Sequence, residues 1–402
     1  MGYRIALSVH GRFHVFDLGR ELLARGHDVQ LFTNYPRFGV KRFGFPAERV
    51  HSFLTHGVAT RLGNRLLPAQ AGGFVERLGN GAFARWAARV IPRQDWDVVI
   101  SMSGIAKDLF EALSNRPTLR VLHRGSCHVR TQRRLLEEEE RRAGRWIEKP
   151  SDWIVAREEA EYELADTIHV FSEFAYQSFV ENQVDLTKIY RLRLGVRTDE
   201  FRASADTIEA RNRRILAGDP LRVVNVGTFS VQKGALDFCA VVQALRSGPF
   251  AFRCVGPIAT DARSVASDLA GMAHFVGKRP QSELPQHYAW GDLFLFPTIQ
   301  DGFAVVLTQA LAASLPILTT TNCAGPDLFR EGKQGWIVPI RSPSAIIDRL
   351  RWCHDHRDEL ALVVREVYQS SQDFDWKQTA QMAERHITDV LQNLGRAAPV
   401  QG

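Results

Sequence analysis

Several absences narrow the possibilities before any motif is read. No stretch approaches the ~20 consecutive apolar residues of a membrane-spanning helix. The opening "MGYRIALSVHGRF" lacks the shape of a secretion signal, because a strand-like run begins almost at once. The five cysteines (127, 239, 254, 323 and 353) are odd in number and no pair has metal-ligand spacing. They read as free thiols of a reducing cytoplasm. Low-complexity segments and short-period repeats are missing. So is the G-x-G-x-x-G fingerprint of a dinucleotide-dependent oxidoreductase: neither "VHGRFH" nor "VGTFSVQKG" supplies it.

What is present is enough apolar material for two cores. The chain has 402 residues, 45% of them hydrophobic and 24% charged, too long for one ordinary domain. Lys plus Arg exceed Asp plus Glu by 51 − 45 = +6. That excess permits phosphate-bearing ligands, nucleic acid or an anionic membrane surface and selects none of them. No nucleic-acid partner is expected.

The pattern along the chain runs twice. "YRIALSV", a glycine turn, "HVFDLGRELLARGH" and "DVQLFTN" spell strand, helix, strand, hence a parallel β-α-β unit. "WDVVISMS", "LRVLH" and "TIHVFS" extend that sheet, and residues 130–164 read as one long charged helical stretch. From about residue 207 the pattern restarts with "LRVVNVG", the loop "TFSVQKG" and the helix "ALDFCAVVQAL", followed by the strands "FAFRCVG", "DLFLFPT", "PILTTT" and "WIVPI". An α/β fold of two Rossmann-like domains facing a central cleft is expected. The domains are 1–200 and 207–375, with the amphipathic helix 376–396 returning to the first. Ligands of such sheets bind at the carboxyl ends of the strands.

The most informative stretch is "DLFLFPTIQDGFAVVLTQALAASLP" (292–316), an apolar strand, a short loop and a helix. Gly302 lacks a Cβ, so backbone and ligand can approach closely. The amides of Gly302, Phe303, Ala304 and Val305 lie at the helix start and form an anion site assisted by the helix dipole. Asp301 at that mouth can accept hydrogen bonds from ligand hydroxyls, and Gln309, about two turns on, can reach another part of the same ligand. An anion flanked by hydroxyls describes a nucleotide diphosphate sugar. The plain alternative is that Asp301 caps the helix and Gln309 is a surface residue.

This segment, continued through "TNCAGPDLFREGKQGWIVP", resembles the signature of glycosyltransferase family 4, with its "EGFG…EA" motif. "VVNVGTFSVQKG" and "GKRPQSELPQHYAWGDLFLFPT" resemble further landmarks of that family. The resemblance implies a GT-B fold and retaining transfer from a nucleotide sugar, such as a UDP- or GDP-sugar, without a required metal. It implies that Asp301 and the amides of Gly302 and Phe303 hold the transferred sugar, and that Ala304 and Val305 face the diphosphate with Lys233. Gln309 takes the ribose, the backbone near Arg279 holds the base, His123 contacts the sugar near the reacting carbon, and Gly11 leaves room for the donor. Three positions depart from the pattern: Asp301 replaces Glu, Gln309 replaces a second acid, and Thr228 follows Gly227 where a basic residue is expected. Gln still serves a binding role by its donors and acceptors. A non-catalytic sugar-nucleotide or glycan-binding protein of the same fold is the alternative function.

"DWD" (95–97) mimics a metal motif but precedes its strand, the wrong end for a site, and reads as a turn. The Arg- and aromatic-rich segments 36–94 and 130–149 could rest on anionic lipid, the 61–93 segment above all, which would suit a lipid-linked or glycan acceptor and a peripheral place at the inner face of the cytoplasmic membrane. The plain reading of the second segment is a solvated helix whose Glu137–Glu140 pair with Arg141–Arg145.

Overall fold

The computed structural model describes residues 2–11, 13–57, 72–195, 197–370 and 375–395. Part of the 61–93 segment, residues 61–71, therefore lies outside the described residues, as does the last residue of the expected 376–396 helix. Two parallel sheets organise the chain. The first contains β1 (Arg4–Val9), β2 (Asp28–Thr33), β3 (Val50–Ser52), β4 (Val98–Met102), β5 (Leu119–His123), β6 (Thr167–Val170) and β7 (Ile189–Arg191) in the order 3-2-1-4-5-6-7. The second contains β8 (Leu221–Val226), β9 (Phe250–Val255), β10 (Ala273–Gly277), β11 (Leu293–Phe296), β12 (Ile317–Thr320) and β13 (Gly335–Val338) in the order 10-9-8-11-12-13. Every pairing is parallel. The central strands β4 and β11 are buried along their whole length. Apolar runs of this kind suit strands covered by helices on both faces.

The helices that matter for the site are α1 (Val15–Ala24), α2 (Gly72–Val90), α3 (Val129–Ala143), α4 (Asp152–Leu164), α5 (Ala205–Leu216), α6 (Ala235–Leu245), α7 (Val305–Ala312), α8 (Arg357–Ser370) and α9 (Trp376–Asn393). The C-terminal α9 crosses back to the first sheet's layer. Its Glu384 lies 3.2 Å from His27, its Thr388 Oγ1 accepts from the Tyr3 hydroxyl at 3.0 Å, and its Thr379 hydroxyl donates to the Arg193 carbonyl at 2.9 Å.

The long charged stretch 130–164 is two helices rather than one. Gly144 ends α3 in the left-handed conformation (φ 63°), and Ser151 caps α4 by accepting from the Ile154 amide. The charges of α3 are also not merely solvated. Arg133 and Arg134 pair within the helix with Glu137 and Glu138, but Arg142 bonds Asp237 of α6 and Arg341 bonds Glu138 and Glu139. Asp237 and Glu139 are fully buried. These pairs latch α3 to the second sheet's layer, a use that helical spacing alone does not reveal.

His128 caps α3 through a ring nitrogen that accepts from the Arg130 amide at 3.3 Å. Burial, reinforced by Arg124 and Arg130, pushes its pKa down to about 3. A lowered histidine pKa contributes stability that is complete above the unfolded value near 6.5 and is lost as pH falls below it. Between pH 7.5 and 5.5, the wild type is expected to lose about 1.4 kcal/mol more than His128→Asn, which keeps a cap but cannot protonate. Urea titrations of both proteins at the two pH values check this; equal losses would refute it.

Candidate active site in the interdomain cleft

The carboxyl ends of the two sheets face each other, and the loops leaving β1, β5, β8 and β11 meet there. The β11–α7 loop differs from the expectation in one respect. Helix α7 starts at Val305, so Gly302, Phe303 and Ala304 precede it. Asp301 Oδ1 accepts from the Phe303 and Ala304 amides at 3.0 and 2.8 Å, the short-range turn bonding that aspartate favours. Those two amides are therefore satisfied internally. Ala304 is held at φ 65°, ψ 76°, a left-handed conformation that costs a non-glycine residue roughly 1–2 kcal/mol. It occupies the second glycine position of the "EGFG" pattern, which explains why that pattern has glycine there.

The other Asp301 oxygen, Oδ2, accepts from Lys233 Nζ at 2.6 Å, and the same ammonium lies 3.4 Å from the Gln300 carbonyl. Lys233 sits in the β8–α6 loop. That loop is stitched to the β11 end by the Ile299 amide and the Thr298 hydroxyl, which donate to the Gln232 carbonyl at 3.0 and 3.2 Å. Gly234 ends it at φ 82°, where an added Cβ would lie 1.8 Å from the Pro297 carbonyl oxygen. The lysine is thus positioned by backbone packing that tolerates no side chain at its neighbour.

A cavity of about 400 Å³ lies on one side of this pair, lined by Asp301, Phe303, Ala304, Val305 and Gln309 from the second sheet's layer and by Phe13, His14, Asp17, Gly125 and Phe171 from the first. Gln309 Oε1 accepts from the buried Tyr288 hydroxyl at 2.8 Å, which leaves its NH₂ group as the end available to a ligand. A second cavity of about 480 Å³ takes Lys233 and Thr228 together with Arg124, Trp146, Glu148 and Asp261.

Not every expected residue reaches a cavity. His123 is fully buried and lines neither; it is His14, hydrogen-bonded to it, that faces the cleft. Gly11 (φ 82°) donates its amide to Asn34 Oδ1 at 2.7 Å, and Gly227 (φ 134°) donates its own to the Val255 carbonyl at 2.9 Å. Arg279 is exposed beyond β10, 3.9 Å from Glu283. Gly302 also has a different neighbour from the one anticipated. A Cβ there would lie 2.4 Å from the Gly125 carbonyl oxygen, so the close approach is backbone to backbone between the two halves. Beside it the Ser126 hydroxyl donates to Gln300 Oε1 at 2.7 Å. Gly302→Ala is accordingly expected to wedge the cleft open at a cost of roughly 1–3 kcal/mol in the closed state. Small-angle scattering should report a larger radius of gyration, and an unchanged profile would refute the wedge.

His14, Asp17, Arg197 and Trp376 were not anticipated as cleft residues. His14 had a signal: it lies in the first β-α loop, at the strand end where ligands are expected. Trp376 had none, because only the return of α9 brings it there.

Among the described residues, no group of three or more His, Cys, Asp or Glu side chains could hold a metal ion, and no helix is long and apolar enough to cross a membrane. Asp97, in the "DWD" turn, accepts from the Arg4 amide at 2.7 Å, away from the cleft.

Comparison with known proteins agrees with this architecture. The family described as Glycosyl transferases group 1 matches residues 220–356. WcaL of Salmonella typhimurium, described as a colanic acid biosynthesis glycosyltransferase, is 27% identical over 211 residues, 48% of this chain and 50% of that protein. The GDP-mannose-dependent alpha-(1-6)-phosphatidylinositol monomannoside mannosyltransferase of Mycolicibacterium smegmatis is 26% identical over 195 residues, covering 45% of this chain and 51% of the relative. The chain thus spans about half the length of the curated relatives it matches. The crystal structure of Anabaena HepE in complex with UDP and glucose superposes with a TM-score of 0.68 at 13% identity, over 96% of this chain and all of that one. Residues 220–356 match the family glycosyl transferases group 1, and they carry the second of the two sheets of a GT-B fold.

Proposed function

We propose that the protein is a glycosyltransferase that moves a sugar from a nucleotide-sugar donor to a glycan or lipid-linked acceptor, with retention of configuration, in the synthesis of a cell-surface polysaccharide or glycolipid. The observation that carries the reading is the meeting of Asp301, Phe303, Ala304, Val305 and Gln309 in one cavity between two Rossmann-like layers. In this reading residues 207–375 hold the donor, a UDP- or GDP-sugar, and residues 1–200 with the returning helix 376–396 form the acceptor side. Transfer runs through an oxocarbenium-like state while the diphosphate gathers charge. Lys233 and the first amides of α7 meet that charge, Asp301 and Gly302 hold the sugar, and Gln309 binds ribose without moving a proton. His14 takes the contact expected of His123. Gly11 and Gly227 shape the strand-end turns, with Thr228 beside the diphosphate and the backbone at Arg279 beside the base. The relatives named for polysaccharide and phosphatidylinositol chemistry support the acceptor class. The enzyme would work in the cytoplasm, at the inner face of the membrane, without a required metal and without nucleic acid.

A non-catalytic sugar-nucleotide or glycan-binding protein is the second reading, favoured by the commitment of both Asp301 oxygens to Lys233 and the loop amides. A panel of nucleotide sugars separates the two. Donor binding should raise the melting temperature by mass action. Nucleotide release should accompany it for an enzyme and be missing for a binding protein; no shift with any donor would discard the site. With the active donor, Gln309→Ala should raise KM about tenfold and leave kcat within about threefold, the loss of one ground-state hydrogen bond. A kcat collapse would instead give Gln309 a role in the chemical step.

A further inference from the structure

A line of histidines runs from the cleft through the first sheet. His14 Nε2 lies 2.8 Å from His123 Nδ1, and His123 Nε2 lies 3.1 Å from His169 Nδ1. The ring centroids are 5.1 and 4.9 Å apart. Beyond them His169 packs against Tyr190 and His386 at 5.4 and 5.2 Å. Its remaining nitrogen, Nε2, is buried and has no hydrogen-bond partner among the described residues. His386 does not supply one. Its Nε2 lies 3.0 Å from Thr167 Oγ1, whose hydroxyl donates to the Lys188 carbonyl and so accepts from His386.

Each nitrogen pair needs one donor and one acceptor, and a neutral imidazole carries a single N–H. Burial pushes the His14 pKa down to about 3 and those of His123 and His169 well below their ordinary value, so all three are neutral. Two orientations of the line remain. If the bonds ran from His14 inward, the last proton would sit on His169 Nε2, a buried N–H with no acceptor. If they run from His169 outward, the orphan is an unprotonated ring nitrogen. Orphaned buried donors are the rarer case. The outward orientation puts protons on His169 Nδ1 and His123 Nδ1, and so on Nδ1 of His14. That nitrogen is on the flank of the ring away from His123. His14 makes no capping bond with it at the start of α1, and its ring lines the cleft.

We propose that His169 and His123 are positioning residues that hold His14 as a neutral Nδ1–H donor to an oxygen of the sugar nucleotide in the cleft, a role that rests on the donor-site reading above. His14 then donates a hydrogen bond and cannot act as a base. The tautomer itself is independent of what the cleft binds.

Long-range ¹H–¹⁵N correlation spectra of histidine-labelled protein without ligand, at pH 7.5, test it. The His14 signal, assigned by its loss in His14→Gln, is expected with the Nδ1–H pattern; an Nε2–H pattern overturns the proposal. His169→Leu removes the anchoring donor and should release His14 to a mixture of tautomers. His169→Asn, whose amide replaces Nδ1–H, should restore the wild-type pattern. An unchanged His14 tautomer in a folded His169→Leu protein also overturns it. With a donor that the wild type turns over, His169→Leu should raise donor KM about tenfold and His169→Asn less than about threefold. Equal KM values for wild type and His169→Leu refute the functional part. If no nucleotide sugar binds at all, the donor-site reading fails, and the spectra still decide the tautomer.

Discussion

Replacing Arg211 by alanine is expected to destabilise the second Rossmann-like half by about 4 kcal/mol. Arg211 projects from α5 and is fully buried. Its guanidinium donates to four backbone carbonyls: Gly291 at 2.8 Å, Ala313 at 3.1 Å, Ser314 at 2.6 Å and Tyr288 at 3.2 Å. Burial pushes its pKa down to about 10, which leaves it charged at neutral pH. Truncation strips those carbonyls of their guanidinium donors, although Tyr288 keeps the Gly291 amide at 3.1 Å, and opens a cavity, two mechanisms that each cost on the order of 1–3 kcal/mol. For a unit of this size the melting temperature should fall by roughly 10 °C. Lysine has three donors on one point and cannot reach all four carbonyls, so Arg211→Lys should recover only part of the loss. Urea unfolding of the three proteins measures this, and a loss below about 1 kcal/mol would sink the account. The effect also reaches the site. Two of the carbonyls follow α7, and a third belongs to Tyr288, whose hydroxyl holds Gln309. Weaker donor binding should therefore accompany the lower stability.

Lys233→Ala is expected to do the opposite, sparing the fold and removing turnover. The Lys233–Asp301 pair is about one-fifth exposed on both sides, with side-chain exposures of 23% and 18%. Its net contribution to stability is on the order of 1 kcal/mol or less after desolvation and screening. Its role under the proposed function is to meet charge that appears on the leaving diphosphate. Removing one such preorganised donor costs about 10²–10³ in kcat. The lysine is fixed for that task by the Gln232 carbonyl bonds and by Gly234, which admits no side chain. Lys233→Arg keeps the charge on a planar fork and should recover a minor part of the rate. Nucleotide release at saturating donor reads the effect directly. A fall of less than about threefold would place Lys233 away from the leaving group.

The repeated β-α-β pattern was readable from local order: apolar runs bounded by Gly and Pro, and helices at their own period. The parallel pairing of the strands into two sheets follows from that repetition and from the short distance between successive elements; β3 (Val50–Ser52), an edge strand in an Arg- and aromatic-rich segment, is the one strand among the described residues that this pattern did not reveal. The 301–309 segment was readable for the same reason, since strand end, glycine loop and helix start are contiguous. Other features had no local signature, because their partners are more than a hundred residues away. Gly302 meets Gly125 across the cleft, Arg341 meets Glu139, and Trp376 reaches the cavity only because α9 returns to the first sheet. His123 shows the same limit at shorter range: a histidine ending β5 looks exposed to ligand until α1 sets His14 in front of it and β6 sets His169 behind. Periodicity and backbone chemistry act within a few residues and name the elements. Desolvation and charge pairing act wherever the packed chain brings groups together, and they decide which of those residues face the cleft.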